Sequence, residues 1–144
     1  MSNKLAGKFA TACAIASLSL GSAHAADLTV EVGNVAKSSG RVLVALFNRA
    51  EGFPRKDYWR GESLVPVPGT MKVVFRNIPE GIYAVTAYHD VDGNKKLNTN
   101  GLGIPVEPLA FSNNAAPAID GPPKFSAASF KVSGASMKVS LTLK

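Results

Sequence analysis

Residues 73–90 read VVFRNIPEGIYAVTAYHD and contain two strand patterns on either side of a Pro/Gly turn. Residues 71–77 form the first predicted strand, and the sequence IPEG at residues 78–81 predicts a tight turn into the second. In that second strand, residues 82–88, apolar side chains fall on both faces, because successive side chains of a strand point in opposite directions. A strand that is apolar on both faces is predicted to lie in the centre of a sheet.

Further strand patterns lie towards both ends of the chain. Apolar and polar residues alternate over residues 28–32, and the short apolar run RVLVALFN follows at residues 41–48, so an opening antiparallel hairpin is predicted. Residues 126–132 and 135–143 predict a closing hairpin. Between these regions, residues 49–70 contain Gly and Pro too often for a regular element and predict a long loop.

The spacing of these strands predicts the fold class. About seven short strands joined by Gly and Pro turns, with no helical stripe or repeat, favour an all-β domain, a single antiparallel β-sandwich of the immunoglobulin-like kind. A long irregular loop is expected after the fourth or fifth strand. The order in which the strands pair is left open.

The first 25 residues have the three parts of a secretory signal peptide. Lys4 and Lys8 charge the start, an apolar run fills residues 9–20, and Ala-His-Ala at residues 23–25 matches the cleavage pattern. The apolar run is too short, and too rich in Ala and Ser, for a membrane-spanning helix of roughly 20 residues. We therefore predict cleavage near Ala25 and a periplasmic or secreted protein.

The remaining chain, residues 26–144, has the size of one domain with one core, and we expect it to be a monomer. The only cysteine, Cys13, lies in the predicted leader, so the domain is expected to be free of disulfides. The net charge of the whole chain is +6. The basic residues are scattered, which argues against nucleic-acid binding. The positive charge has two open explanations: weak attraction to anionic lipid or polysaccharide, and solubility alone.

Residues 73–90 resemble the strand, P-x-G turn and Y-x-V strand of prealbumin-like sandwich modules such as the carboxypeptidase regulatory domain. The continuation, HDVDGNKKLNTNGLGIPVEPLAFSNNA from residue 89 and GPPKFSAASF from residue 121, resembles more closely an uncharacterised family of exported bacterial proteins, domain of unknown function 2141 (DUF2141). The resemblance implies a small secreted or periplasmic sandwich. Because the family has no settled activity, it implies no reaction.

Oxygen-bearing side chains recur after residue 89 at the spacing of a cation-binding loop. The first four fall at positions 1, 3, 5 and 9 of an EF-hand-like loop, but glycine comes at position 4 rather than 6 and position 12 is not glutamate. The turn is therefore not an EF-hand, and is similar to the calcium turns of adhesin B-type repeats, which a remote carboxylate completes. The predicted ligands are Asp90, Asp92, Asn94, Asn98 and Glu107.

Calcium bound by this set should be held weakly, with a dissociation constant of about 10⁻⁴–10⁻³ M. The site has three carboxylates at most, and Lys95 and Lys96 lie beside them in the sequence. The alternative is a plain turn, because Asp, Asn and Gly bond their own backbone and tolerate left-handed conformations. The sequence leaves both readings open.

His89 is the only histidine of residues 26–144, which excludes a histidine-based zinc site within one subunit. It is either a general base or ligand-pocket donor beside Asp90, or a strand-end residue bonded to nearby backbone. Ser112 lacks the sequence context of a nucleophile, so no catalytic residue is predicted.

A second group of polar residues follows the predicted metal loop. Side-chain amides and a hydroxyl beside an aromatic ring suit a polar, neutral ligand such as a sugar or a peptide backbone, and equally suit a loop that satisfies its own backbone groups. Residues 58–60, Tyr-Trp-Arg, could likewise stack on a sugar or cap the core. The predicted ligand-binding residues are His89, Asn100, Phe111, Ser112, Asn113 and Asn114.

The leading hypothesis is an exported, non-enzymatic β-sandwich module, binding or structural, in which residues 90–100 hold a calcium ion. The ion orders the following segment for an unknown ligand or for an envelope protein or polysaccharide. The alternative is an envelope carbohydrate-processing or hydrolytic factor that uses His89 with a nearby carboxylate.

Overall fold

The structure is a computed structural model that describes residues 24–144. Within those residues the chain forms eight strands, one short helix and a 3-10 turn at Ser112–Asn114. The predicted signal peptide lies almost wholly outside the described residues, so it stays a prediction. The elements are β1 (Ala25–Val35), β2 (Arg41–Phe47), β3 (Arg60–Leu64), β4 (Gly69–Pro79), β5 (Gly81–Asp90), β6 (Leu109–Phe111), α1 (Phe125–Ala128), β7 (Phe130–Val132) and β8 (Ser136–Thr142).

The first sheet has the strand order β4-β1-β8 and is mixed. Strands β1 and β4 are antiparallel, whereas β1 and β8 are parallel from the pair Asp27 and Ser136 to the pair Gly33 and Thr142. The predicted β-sandwich is confirmed, but its purely antiparallel pairing is wrong for β1 and β8, and residues 24–144 form eight strands rather than about seven. Since β1 and β8 come from opposite ends of the chain, no local turn fixes their relative direction.

The second sheet has the order β3-β2-β5-β6, and β7 pairs with the start of β5. Strands β2 and β5 both lie inside this sheet, and the predicted central position of β5 is confirmed. Both predicted hairpins are wrong, because β1 and β2 lie in different sheets, as do β7 and β8. The predicted turn at residues 78–81 likewise carries the chain from one sheet to the other.

The core lies between the two sheets and consists mainly of aliphatic side chains. A second, smaller cluster contains Phe111 and Ala128 and packs on the other side of β5 at Ala84. Strand β5 is thus covered on both faces, as its apolar pattern predicted. Burying each large apolar side chain stabilises the fold by about 1.5–3 kcal/mol. The main core includes Leu28, Val30, Val32, Val42, Val44, Leu46, Phe75, Tyr83, Val85 and Leu141.

The long irregular loop predicted after the fourth or fifth strand is present and follows β5. It runs through residues 91–108, between two strands that pair with each other, β5 and β6. Both ends of the loop therefore stand on the same rigid sheet. In the part of the chain that the structure describes, no helix is long and apolar enough to cross a membrane.

Candidate metal centre

Asp90 is the last residue of β5 and is fully buried. Its carboxylate turns back over the following residues: Oδ1 accepts the backbone N–H of Asn94 at 3.1 Å, and Oδ2 accepts that of Lys95 at 2.9 Å. Lys95 has a positive φ of 66° and Gly93 one of 74°, so the chain curls tightly around this carboxylate. Asp90 therefore shapes the turn by the local backbone bonding that aspartate favours.

Glu107 reaches the same place from the far end of the loop and is only 7% exposed. Its Oε1 accepts the backbone N–H of Val91 at 2.8 Å, and its Oε2 accepts that of Asn98 at 2.9 Å. The bond from the N–H of His89 to the carbonyl of Pro108, 2.9 Å long, continues the β5–β6 pairing up to Glu107. Strand pairing thus fixes the position of the second buried carboxylate.

Asp92 supplies a third carboxylate, which is exposed to solvent. Its Oδ2 accepts the side-chain amide of Asn98 at 2.7 Å and that of Asn94 at 3.0 Å, and its Oδ1 accepts the backbone N–H of Asn94 at 3.1 Å. The hydrogen bond from the Asn98 amide, followed by that from the Asn94 backbone, holds the pKa of Asp92 below its usual value. The carboxylate therefore stays ionised in the range where a cation would bind.

The three carboxylates converge. One oxygen from each of Asp90, Asp92 and Glu107 lies within 4.8 Å of the others. Two oxygens that share a calcium ion at 2.3–2.6 Å are at most about 5 Å apart, so this separation is compatible with one ion. Among residues 24–144, no lysine or arginine forms an ion pair with any of the three.

The negative charge of the centre reaches Tyr88, which precedes it on β5. Burial raises the pKa of the Tyr88 phenol, and the charges of Asp90 and Glu107 raise it further. The phenol therefore responds to any change in the charge of these two carboxylates.

All five predicted metal ligands are brought to one turn by the fold. Asn94 and Asn98 are joined there by a 2.7 Å bond from Nδ2 of Asn94 to Oδ1 of Asn98. Asn100 lies farther out, at the tip of a small hairpin. Its Oδ1 accepts the N–H groups of Leu102 and Ile104 at 2.9 and 3.1 Å, so this side chain shapes the tip.

His89 lies on the strand face opposite to Asp90 and is 1% exposed. Its Nε2 is 2.8 Å from the carbonyl oxygen of Ser39. Because a carbonyl only accepts, we assign the ring proton to Nε2. His89 thus binds the turn before β2, as the second of its two sequence readings described.

The other predicted ligand-binding residues tie the 3-10 turn to its neighbours. Ser112 is buried, accepts the N–H of Val85 at 2.9 Å and donates to the carbonyl of Ala128 at 2.5 Å. Asn113 donates from Nδ2 to the carbonyl of Ser129 at 2.6 Å. Phe111 packs in the smaller cluster, and Asn114 is exposed. Most of this group therefore satisfies the protein's own backbone.

The two aromatic residues just before β3, Tyr58 and Trp59, are exposed at 56% and 36%, and their rings lie near those of Phe47 and Tyr83. The Arg60 guanidinium lies 4.4 Å from the centre of the Trp59 ring, and the Tyr83 ring lies 5.7 Å from it. Arg60 also donates to the carbonyl of Arg76 at 2.6 Å. Trp59 is still 36% exposed, so both sequence readings, the sugar platform and the core cap, stay open.

A cleft of about 500 Å³ adjoins the loop, and no motif or periodic pattern in the sequence predicts it. Leu102 and Ile104 form part of its lining although they are largely exposed. The available signal was the presence of large apolar residues in a Gly-rich loop, where polar residues are usual. Neither residue fits a strand or helix period, so periodicity could not identify them.

The family profile described as "Uncharacterized protein conserved in bacteria (DUF2141)" matches residues 30–140. The matched span includes β2 to β7 wholly, covers parts of β1 and β8, and contains every residue of the acidic centre. No curated protein and no solved structure matches the chain.

Proposed function

The chain belongs to the DUF2141 family, and from that premise we propose that it is an exported, non-enzymatic β-sandwich module that binds one calcium ion between β5 and β6. One observation carries the proposal: oxygens of Asp90, Asp92 and Glu107 lie within 4.8 Å of one another. The ion orders the loop and thereby the surface that the module presents to an envelope partner.

The electrostatics of the turn favour a cation. Asp90 and Glu107 are buried side by side, and burying two like charges is costly unless an opposite charge offsets them. The backbone N–H groups that they accept offset part of this cost. A divalent cation bound between them offsets the remainder.

The available donors are those of a hard cation. The centre offers carboxylate and amide oxygens and no cysteine or histidine, which suits Ca²⁺ or Mg²⁺ rather than zinc. The side-chain amides of Asn94 and Asn98 point their nitrogen atoms at the Asp92 carboxylate. Rotating each amide group by 180° places its oxygen there instead, as a ligand for a cation. Calcium tolerates such an irregular oxygen set, whereas magnesium requires near-octahedral geometry.

The affinity should be low. Asp92 is exposed, and Lys95 and Lys96 add positive charge to the same turn. We therefore expect a dissociation constant of about 10⁻⁴–10⁻³ M, the range of extracellular calcium modules. Such a site is filled only where calcium is abundant, which agrees with the export that the leader sequence predicts.

In this proposal His89 has a structural role. An acid–base role would require the ring to meet a substrate, but it is buried and bonded to Ser39, and it does not line the 500 Å³ cleft. No feature of the site favours the hydrolytic alternative.

Thermal unfolding of the protein comprising residues 26–144 tests the proposal. At 10 mM Ca²⁺, a site with a dissociation constant of 10⁻⁴–10⁻³ M stabilises the native state by about 1.4–2.7 kcal/mol relative to the chelated protein. Mg²⁺ at equal ionic strength should give a smaller shift. An unchanged melting temperature in Ca²⁺, or an equal shift with NaCl of matched ionic strength, would contradict calcium binding.

A further inference from the structure

The cleft beside the metal loop has an apolar floor and two walls that come from separate segments. Its floor includes Leu109 and Phe111, next to β5. One wall is the hairpin at residues 102–105, and the other is the turn at residues 117–122. At about 500 Å³, the cleft falls in the range of small-molecule sites.

Hydrogen bonds fix the backbone of both walls, and each wall carries an apolar side chain that is exposed to solvent. Asn100 fixes the hairpin, where Leu102 is 84% exposed. In the opposite turn, Ala118 and Gly121 exchange backbone hydrogen bonds of 2.8 and 3.2 Å, and Ile119 is fully exposed. Apolar side chains that are held open over a concave apolar floor are characteristic of a ligand site.

Four residues with polar side chains line this apolar space: Arg55, Thr86, Tyr88 and Asp120. Arg55 lines the cleft and makes no ion pair among residues 24–144, and Asp120 is the one acidic residue among those that line it. Tyr88 also lines the cleft. A guanidinium binds a carboxylate through two parallel hydrogen bonds, so Arg55 selects an anionic head group.

We propose that this cleft binds a small amphipathic carboxylate. The apolar body lies between Leu102 and Ile119, and the carboxylate pairs with Arg55. Two kinds of molecule share this chemistry: a simple alkyl carboxylate, and an apolar amino acid whose ammonium pairs with Asp120. The site goes beyond the calcium proposal and does not require the ion, since its walls are held by their own hydrogen bonds.

Calorimetric titration with octanoate, 1-octanol and octylammonium tests the site in the presence of a chelator, so that a failure of calcium binding cannot affect the result. The three probes share one apolar body and differ in the head group. Because a hydrogen bond to a charged group is worth more than one to a neutral group, octanoate should bind about tenfold more tightly than octanol. Octylammonium should bind more weakly than octanoate. Equal affinities of octanoate and octanol, or no binding of any probe, would overturn the proposal.

Substitutions locate the two halves of the ligand. Arg55→Gln should reduce the octanoate affinity to that of octanol, whereas Arg49→Gln, at an exposed arginine away from the cleft, should not change it. Leu102→Ser should weaken octanoate and octanol alike by about fivefold or more, and the exposed Val67→Ser is its matched control. Unchanged affinities in Arg55→Gln or in Leu102→Ser would place the probe elsewhere and overturn the site.

2-Aminooctanoate distinguishes the two kinds of ligand. If the natural ligand is an amino acid, 2-aminooctanoate binds more tightly than octanoate, and Asp120→Asn removes only that advantage. If octanoate binds more tightly, the ligand is a simple carboxylate. Either result supports the carboxylate site, since both probes require Arg55.

Discussion

The carboxylate of Glu107 accepts a 2.9 Å hydrogen bond from the backbone N–H of Asn98, which lies nine residues earlier in the chain. Its other oxygen accepts the N–H of Val91 at 2.8 Å. One buried side chain therefore ties the first residue of the loop to its middle, and this carboxylate also faces Asp90 across the candidate metal centre. The loop is thus organised by the same groups that would bind the ion.

Glu107→Gln should destabilise the protein even without calcium. The amide keeps the shape of the side chain but accepts at one atom only, so one partly buried backbone N–H, of Val91 or Asn98, loses its acceptor. Such a loss costs about 1–3 kcal/mol. Urea unfolding in chelator measures the change, and Glu62→Gln, at an exposed residue of β3, is the matched control. Equal stability of the two variants would mean that Glu107 does not hold the loop.

Asp92→Asn should separate ion binding from folding. Asp92 is exposed and bonds mainly within its own turn, so the variant should keep a stability within about 0.5 kcal/mol of the parent in chelator. It removes one of the three charges at the centre, so the stabilisation by 10 mM calcium should largely disappear. Melting curves with and without calcium measure both effects. If calcium stabilises the variant as much as the parent, the ion does not bind to this carboxylate.

Calcium should lower the pKa of Tyr88. Burial is the main cause of the raised pKa, and the negative charges of Asp90 and Glu107 raise it further. A cation that neutralises these charges removes their contribution and leaves that of burial. Alkaline titration of the tyrosinate absorbance in a Tyr58→Phe, Tyr83→Phe background measures the pKa. In the same background with Asp92→Asn, calcium should leave it unchanged. A calcium-independent pKa in the parent would argue against an ion beside these carboxylates.

The raised pKa of Tyr88 also predicts how stability changes at high pH. The folded protein keeps the phenol proton at pH values where the unfolded chain, with a pKa near 10.0, has lost it. The contribution of Tyr88 to the free energy of unfolding is therefore complete below pH 10.0, and it is lost as the pH rises through the pKa of Tyr88 in the folded protein. Tyr88→Phe should lessen the loss of stability above pH 10, as measured by urea unfolding across the pH range. An identical pH dependence in the two proteins would contradict this assignment.

Local pattern predicted the central strands and not the way in which they assemble. Strands β2 and β5 carry strong apolar signals and were predicted close to their observed bounds. Strand β3, RGESL, lies at a sheet edge with mostly exposed side chains, so it had no apolar alternation to detect. The parallel pairing of β1 with β8 depends on contacts between the two ends of the chain, which local pattern does not encode.

In the candidate metal centre, too, local spacing predicts one part, and the rest depends on residues that are distant in the sequence. Spacing alone brought Asp90, Asp92 and Asn94 into one turn, because neighbours in a tight loop stay close. The approach of Glu107 depends on β6 returning alongside β5, and β6 is only three residues long. The cleft depends on residues 117–122 folding back over the loop, for which the sequence has no periodic signal.

Calcium binding at the acidic centre and ligand binding in the cleft should be coupled. Leu97 lines the cleft, and its neighbour Asn98 bonds to both Glu107 and Asp92, so an ion that fixes Asn98 also fixes one part of the cleft. Calcium should therefore raise the octanoate affinity, by about fivefold if the coupling is of ordinary size, and octanoate must raise the calcium affinity by the same factor. Calorimetric titrations in both orders measure the two factors.

Asp92→Asn should abolish this coupling and leave octanoate binding in chelator unchanged, because Asp92 does not line the cleft. If calcium stabilises the protein and octanoate binds, but neither affects the affinity of the other, the loop holds the cleft equally well with and without the ion. The ion would then stabilise the fold without controlling the ligand site. Reciprocal factors that vanish together in Asp92→Asn would instead mean that the metal centre regulates the cleft through residues 97–98.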